Sequence, residues 1–323
     1  MEPEIVIYER PGDYAAIPWL VRLKGGRLLL AFRLGTMHQI EREGRVVVCS
    51  SDDSGKTWTL PQTIVDHAGY DDREPSLIED TKGVIWMSCM GQNEERDLYT
   101  TWLLRSFDKG ETWTAPQEFP WKECGFMLRH PFLDAGVLRW AGHIGRIGAR
   151  AVITLEEGPA GWESDVSSMV AMGWGNEWMA CDTPKGPYAI LREAQTMPGF
   201  VDRFYGRRLY AGGTPKARLW HTKVPSRPFL LWLDNKQILA CALDQRGARR
   251  IVLVPSYDCG ETWREDRTLV VLEDSDALRG TDFGYGSLAQ TGADEVFVVY
   301  WGYSSLGDQE RAIYGSRMNI GSW

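Results

Sequence analysis

Apolar residues in this chain come in short runs, each cut by a turn-forming cluster and followed by a second short run. Residues 17–23 and 27–32 flank Lys24-Gly25-Gly26, and residues 73–78 and 84–88 flank Asp80-Thr81-Lys82-Gly83. Residues 176–181 and 188–191 flank Pro184-Lys185-Gly186, and residues 226–231 and 237–239 flank Asp234-Asn235-Lys236. Residues 284–288 and 296–300 flank Thr291-Gly292-Ala293, and a further unit opens at Arg129-His130-Pro131-Phe132-Leu133. Each reads as strand, tight turn, strand. No helical period of useful length interrupts them, so the pattern predicts an all-β chain.

The hairpins are evenly spaced. Aligning their openings gives Pro18, Pro75, Pro131, Trp178, Pro228 and Gly286, at steps of 57, 56, 47, 50 and 58 residues. A repeat of about fifty residues, each holding several short strands, is the signature of a β-propeller. Six such units consume the chain, which predicts one six-bladed propeller domain over residues 1–323. Blade four departs from the ruler, because Trp178 stands where the others carry Pro or Gly and a long polar stretch, residues 195–218, follows it.

A second repeat agrees with the first. Ser51-Asp52-Asp53-Ser54-Gly55-Lys56-Thr57-Trp58 shares the skeleton S-x-D-x-G-x-T-W with residues 106–113 and 256–263, and each copy follows an apolar run. The Asp accepts backbone N–H groups of its own turn, the Gly supplies a backbone angle other residues avoid, and the Trp covers the turn. Asp53, Asp108 and Asp258 therefore read as structural, and their use is to count repeats.

Composition narrows the partners. A net charge of −8 leaves no basic stripe for nucleic acid, while a local arginine pocket for an acidic ligand remains compatible with it. Fifteen Trp suit stacking on sugar faces, though three already close the Asp turns. The six Cys form no C-x-x-C pair and lie mostly in strand-like runs, which reads as buried free thiols in a reducing compartment. Residues 1–5 lack a basic region leading into an apolar core, and no apolar run is long enough to span a membrane. The expectation is a cytoplasmic protein without membrane contact. His67, His143 and His221 show no metal-ligand spacing, and no phosphate loop stands in a strand-to-helix context, so neither metal nor cofactor is expected.

The repeats resemble the sialidase superfamily, whose six-bladed propellers carry such Asp boxes. The resemblance implies a site at the channel mouth where the inner strands begin. Residues just before each hairpin opening would ring it: Ile17, Glu74, His130, Glu177, Arg227 and Tyr285, with Arg73, Arg129 and Asn176 one step earlier. Sialidases are similar to one another in using a Tyr activated by a Glu, an Asp as acid/base, and three arginines that clamp the sugar carboxylate. Carried over, Tyr285 is the nucleophile and Glu177 its partner, with Arg192 and Arg227 as the second and third arginines. A phenol spares an anionic sugar the repulsion of an attacking carboxylate, and guanidinium forks suit carboxylates.

Two family features are missing. The family's Arg-Ile-Pro reads Ala16-Ile17-Pro18, leaving Arg33, Arg73 or Arg129 as replacements. No clear acid Asp stands in the loop over residues 37–43, so His38, Glu41, Asp71 and Asp72 are the candidates. The leading expectation is a glycosidase on a terminal, acidic sugar, with Tyr285, Glu177, Asp72 and His130 catalytic. Arg192, Arg227, Glu74, Arg73, Arg129 and His38 would bind the substrate carbohydrate. One alternative is a lyase using a His130–Tyr285 pair on a uronic acid. Another is a non-catalytic sugar-binding propeller. The sequence leaves the oligomeric state open.

Overall fold

The apolar runs become strands and the clusters between them become reversals, in a computed structural model that describes residues 5–39, 42–93, 98–119, 126–144, 149–158, 161–164, 170–174, 177–193, 203–209, 217–221, 227–273, 282–307 and 309–323. Strand β1 (Ile5–Tyr8) comes first. Blade one follows, as β2 (Tyr14–Arg22), β3 (Leu28–Gly35), β4 (Arg45–Ser51) and β5 (Gln62–Val65). Blade two is β6 (Asp71–Glu79), β7 (Ile85–Asn93), β8 (Leu98–Ser106) and β9 (Gln117–Glu118). Blade three holds β10 (Phe126–Asp134), β11 (Val137–Ile144) and β12 (Ala149–Gly158). Its β13 (Gly161–Ser164) and β14 (Val170–Trp174) both pair with β12. Blade four is β15 (Trp178–Cys181), β16 (Tyr188–Glu193), β17 (Arg203–Arg208) and β18 (Ala217–His221). Blade five is β19 (Phe229–Leu233), β20 (Ile238–Gln245), β21 (Arg250–Ser256) and β22 (Leu269–Glu273). Blade six is β23 (Gly284–Gly292), β24 (Glu295–Tyr303) and β25 (Arg311–Asn319).

The chain is a six-bladed β-propeller, as the spacing predicts. The N-terminal β1 is the outer strand of the last blade, antiparallel to β25 with Ile5 opposite Gly315. The two chain ends thus share one sheet, which fastens the ring and covers an edge that β25 would otherwise present. The polar stretch after blade four's first hairpin contains β17 and the start of β18. Their backbones pair with β16 and with each other despite the weak apolar pattern. Second strands are buried on both faces because blades stack on both sides, as in β3 (LLLAFRLG) and β20 (ILACALDQ).

The three octapeptide turns join the third and fourth strands of blades one, two and five. In each, the Ser hydroxyl accepts the Gly N–H: 2.8 Å at Ser51, 2.9 Å at Ser106 and 2.7 Å at Ser256. The Asp accepts the Thr N–H at 2.9 Å in all three, and also the Thr hydroxyl. These bonds hold Asp53 and Asp108 below the usual carboxylate range.

The glycines have a second reason to be glycine. A Cβ on Gly55 would lie 2.9 Å from Phe297, on Gly110 2.7 Å from Leu29, and on Gly260 2.6 Å from Tyr188. Each partner sits on the second strand of the preceding blade, so each turn is also an interblade contact. The turns mark one end of the ring. Blade one shows this, since Arg27 beside the β2–β3 reversal bonds Asp52 at 2.8 Å. The inner strands begin at the other end.

The described cysteines, Cys49, Cys89, Cys181, Cys241 and Cys259, form no disulfide. Burial pushes the Cys181 thiol up to about 12, so it is inert at neutral pH. Cys124 lies outside the described residues.

Candidate functional site

Three inner strands start with a defect. Ile17, Glu74 and Tyr285 have φ of 59°, 55° and 51°, and the ladders of β2, β6 and β23 shift register around them. A non-glycine residue in the left-handed region is strained, and a bulge re-aims the side chain. The sequence gives no sign of this beyond the residue after each, Pro18, Pro75 or Gly286.

At Tyr285 the strain is held by a residue that sequence reasoning missed. Asp244, at the end of β20 and fully buried, accepts the Tyr285 N–H at 2.6 Å and the Gly286 N–H at 3.4 Å. Gly284, at φ 134°, lets that carboxylate approach, because a Cβ there would lie 2.2 Å from Asp244 Oδ2. The signal was a lone acid within an otherwise apolar run, Leu239-Ala240-Cys241-Ala242-Leu243-Asp244.

The Tyr285 hydroxyl donates to Glu177 Oε1 at 3.5 Å, across 108 residues of chain. Glu177 is buried and immediately precedes β15, where its carbonyl accepts the Arg192 N–H at 2.8 Å. Arg227 lies between two rings, its Cζ 4.8 Å from the Tyr285 centroid and 5.1 Å from that of Trp19. One Arg227 nitrogen donates to the Pro18 carbonyl at 2.9 Å, and another lies 3.9 Å from Glu74 Oε2. Glu74, Glu177, Arg227 and Tyr285 are thus brought together from blades two, four, five and six. Trp19, which was not singled out from the sequence, lies under Arg227. It also lines a cavity of about 650 Å³ in the channel, with Leu77, Phe132, Met179, Phe229 and Leu288.

A second cluster lies toward blades one and two. Arg33, the register partner of Ala16, is fully buried. Its Nε and Nη2 donate to the two Asp71 oxygens at 2.8 and 3.2 Å, and Nη1 donates to the Met37 carbonyl. Arg73 donates to Asp71 Oδ2 and to the His38 carbonyl, each at 3.3 Å. His38 stands on the β3–β4 connection, half-exposed, its ring 5.8 Å from that of Trp301. The Tyr14 hydroxyl donates to Asp282 Oδ2 and lies 3.0 Å from His38 Nδ1. With the hydroxyl proton committed to Asp282, the bond pattern assigns the Nδ1 proton to His38. Asp282 Oδ1 lies 3.4 Å from the same nitrogen, and Arg311 pairs with Asp282 Oδ2 at 3.1 Å. Burial, and next the Asp282 charge, push the Tyr14 hydroxyl far above its ordinary value, so it stays a donor.

Two expected catalytic side chains face elsewhere. Asp72 alternates away from Asp71 and Arg73 along β6. Its carboxylate accepts the His67 N–H at 2.6 Å and the Trp102 indole N–H at 3.0 Å, with His67 Nδ1 at 3.1 Å. Burial raises it to about 6. It ties the loop before β6 to β8 instead of reaching the Tyr285 cluster. His130 is buried, stacked on Trp19 at 5.1 Å, with Nδ1 on the Trp178 carbonyl. It packs the channel wall against Trp19. Arg192 is half-buried on β16. The Arg129 side chain, Glu41 and Asn176 lie outside the described residues. Among the described residues, no group of three or more His, Cys, Asp or Glu is arranged to hold a metal ion.

No protein-family model and no curated protein matches the chain. Solved structures do. A protein of unknown function from Dyadobacter fermentans has a TM-score of 0.78 at 20% identity, with 98% of each chain covered. A Hadza microbial sialidase has a TM-score of 0.72 at 17% identity, covering 96% of this chain and 66% of that one. The α-L-arabinanase of Penicillium chrysogenum has a TM-score of 0.66 at 18% identity, with 98% of each chain covered. At these identities the likeness shows the fold.

Proposed function

We propose that the protein is a glycoside hydrolase that removes a terminal sugar with retention of configuration. The observation that carries this is the Tyr285–Glu177 pair, one hydrogen bond joining blades six and four beside the Arg227 guanidinium. Glu177 takes the phenol proton as the oxygen attacks the anomeric carbon, and Arg227 stabilises the charge that develops on Tyr285. The leaving oxygen needs a proton, and His38 supplies it. Nδ1 is fixed by Tyr14 and Asp282, so Nε2 is the atom that donates. In the second step His38 takes a proton from water, water attacks the glycosyl-tyrosine, and Glu177 returns the proton to the departing phenol oxygen. Structural neighbours that are glycosidases support the reading at the level of class. The burial of His130 against Trp19 weighs against the lyase alternative.

The test is a panel of chromogenic glycosides with wild type, Tyr285→Phe and His38→Gln. Tyr285→Phe keeps the ring on Arg227 and loses on the order of 10³-fold or more in kcat. His38→Gln loses about 10²–10⁴-fold for poor leaving groups and much less for nitrophenolates, which need no protonation. Full activity in Tyr285→Phe refutes the nucleophile. Sugar binding without turnover by wild type refutes the enzyme.

A further inference from the structure

We infer that the sugar taken by this site is uncharged, because the chain's own Asp71 occupies the arginine fork that a substrate carboxylate would need. The inference rests on the glycosidase reading for its substrate, but its structural claim stands on Arg33, Asp71 and Arg73 alone.

Ala16 leaves blade one without the arginine expected on β2, and its cross-strand neighbour on β3 is Arg33. That guanidinium is the right group in the right blade, but both its Nε and Nη2 are spent on Asp71. Arg73, the other replacement candidate within the described residues, donates to the same carboxylate. The pairing is built in. Arg33 and Asp71 side chains are each 0% exposed, and Gly44 makes room for them. A Cβ at residue 44 would lie 1.8 Å from Asp71 Oδ1 and 3.1 Å from Arg33 Nε. A buried two-point ion pair is not surrendered to an incoming anion, since its removal strands the partner charge in a low-dielectric site.

At the third-arginine position Arg227 is 1% exposed, lies 3.9 Å from Glu74 without a hydrogen bond to it, and spends its face on Trp19 and Tyr285. Arg311 is paired with Asp282. Arg192, the second expected clamp residue, is half-buried on β16. With Glu74 beside Arg227 and Glu177 beside Tyr285, an added substrate charge would meet repulsion. A neutral phenol nucleophile imposes no charge requirement of its own.

Two measurements test this. The first compares wild-type kcat/KM on two matched pairs, a β-D-galactoside against the β-D-galacturonide and a β-D-glucoside against the β-D-glucuronide. Each acidic substrate should be slower than its uncharged counterpart by at least about tenfold. The second needs no turnover: thermal unfolding with sodium formate against sodium chloride at equal ionic strength. Asp71→Ala opens the Arg33–Arg73 slot, so formate should raise its midpoint by at least about 2 °C and leave wild type unmoved. If Asp71→Ala fails to fold, Asp71→Ser keeps one hydrogen bond to the guanidinium and takes its place. An acidic glycoside hydrolysed faster than its uncharged partner overturns the inference, and so does a folded Asp71 variant indifferent to formate. Absence of turnover on every glycoside would remove the enzyme proposal alone and leave the formate result to decide the slot.

Discussion

Gly260→Ala and Gly186→Ala form a matched pair for the claim that the octapeptide turns clasp neighbouring blades. Both glycines sit in left-handed backbone, at φ 96° and 91°. An alanine at either costs about 1–2 kcal/mol for conformation alone. Around Gly186 nothing lies within 4 Å of the added Cβ, so that cost is the whole effect. At Gly260 the Cβ would sit 2.6 Å from two Tyr188 ring carbons. The ring has no room to retreat, because on its far side the Tyr188 hydroxyl would lie 1.6 Å from a Cβ at Gly206. Overpacking of this kind adds about 1–3 kcal/mol. Gly260→Ala is therefore expected to lose about 2–5 kcal/mol, and Gly186→Ala about 1–2. Urea unfolding followed by far-ultraviolet circular dichroism reads both from the shift in midpoint at a common slope. Tyr188→Leu in the Gly260→Ala background should recover about 1–3 kcal/mol as a coupling energy. Equal losses at the two glycines, within about 0.5 kcal/mol, would refute the interblade clasp and leave only local strain.

Asp72, raised to about 6 by burial, should make folding pH-dependent. A carboxyl whose pKa is higher folded than unfolded favours the fold while protonated, so its contribution is full below about pH 4 and is lost as pH rises through about 6. The stability difference between wild type and Asp72→Asn should therefore change by roughly 2–3 kcal/mol across that window, and a flat difference would show the carboxyl unperturbed. Asp244→Asn turns one of two acceptors into a donor facing the Tyr285 and Gly286 N–H groups. We expect a loss of about 1–3 kcal/mol in stability, and a fall in kcat with KM nearly unchanged; unchanged kcat would show that the bulge holds itself.

The sequence by itself determined the wheel. Fifty-residue spacing, hairpin reversals and three copies of one octapeptide are local or periodic signals, and each turn satisfies its own donors within four residues, as Asp53 does with Thr57. Placing Glu177, Arg227 and Tyr285 around one mouth follows from that period, because equivalent positions in successive blades meet at the axis. The tertiary structure decided which way each side chain turned. Asp71, Asp72, Arg73 and Glu74 form a polar run with no apolar marker for the inner face. Only pairing with β7 and the bulge after Arg73 sends Asp71 to Arg33 and Asp72 to His67 and Trp102. His130 reads as a proton donor in the chain and becomes a core ring because Trp19, from another blade, stacks on it. Asp244 and Tyr285 are 41 residues apart, and a strained backbone held by a distant carboxylate leaves no periodic trace. Repetition is written along the chain, whereas the partners of charged groups are chosen by which blades touch, and that choice exists only once the ring has closed.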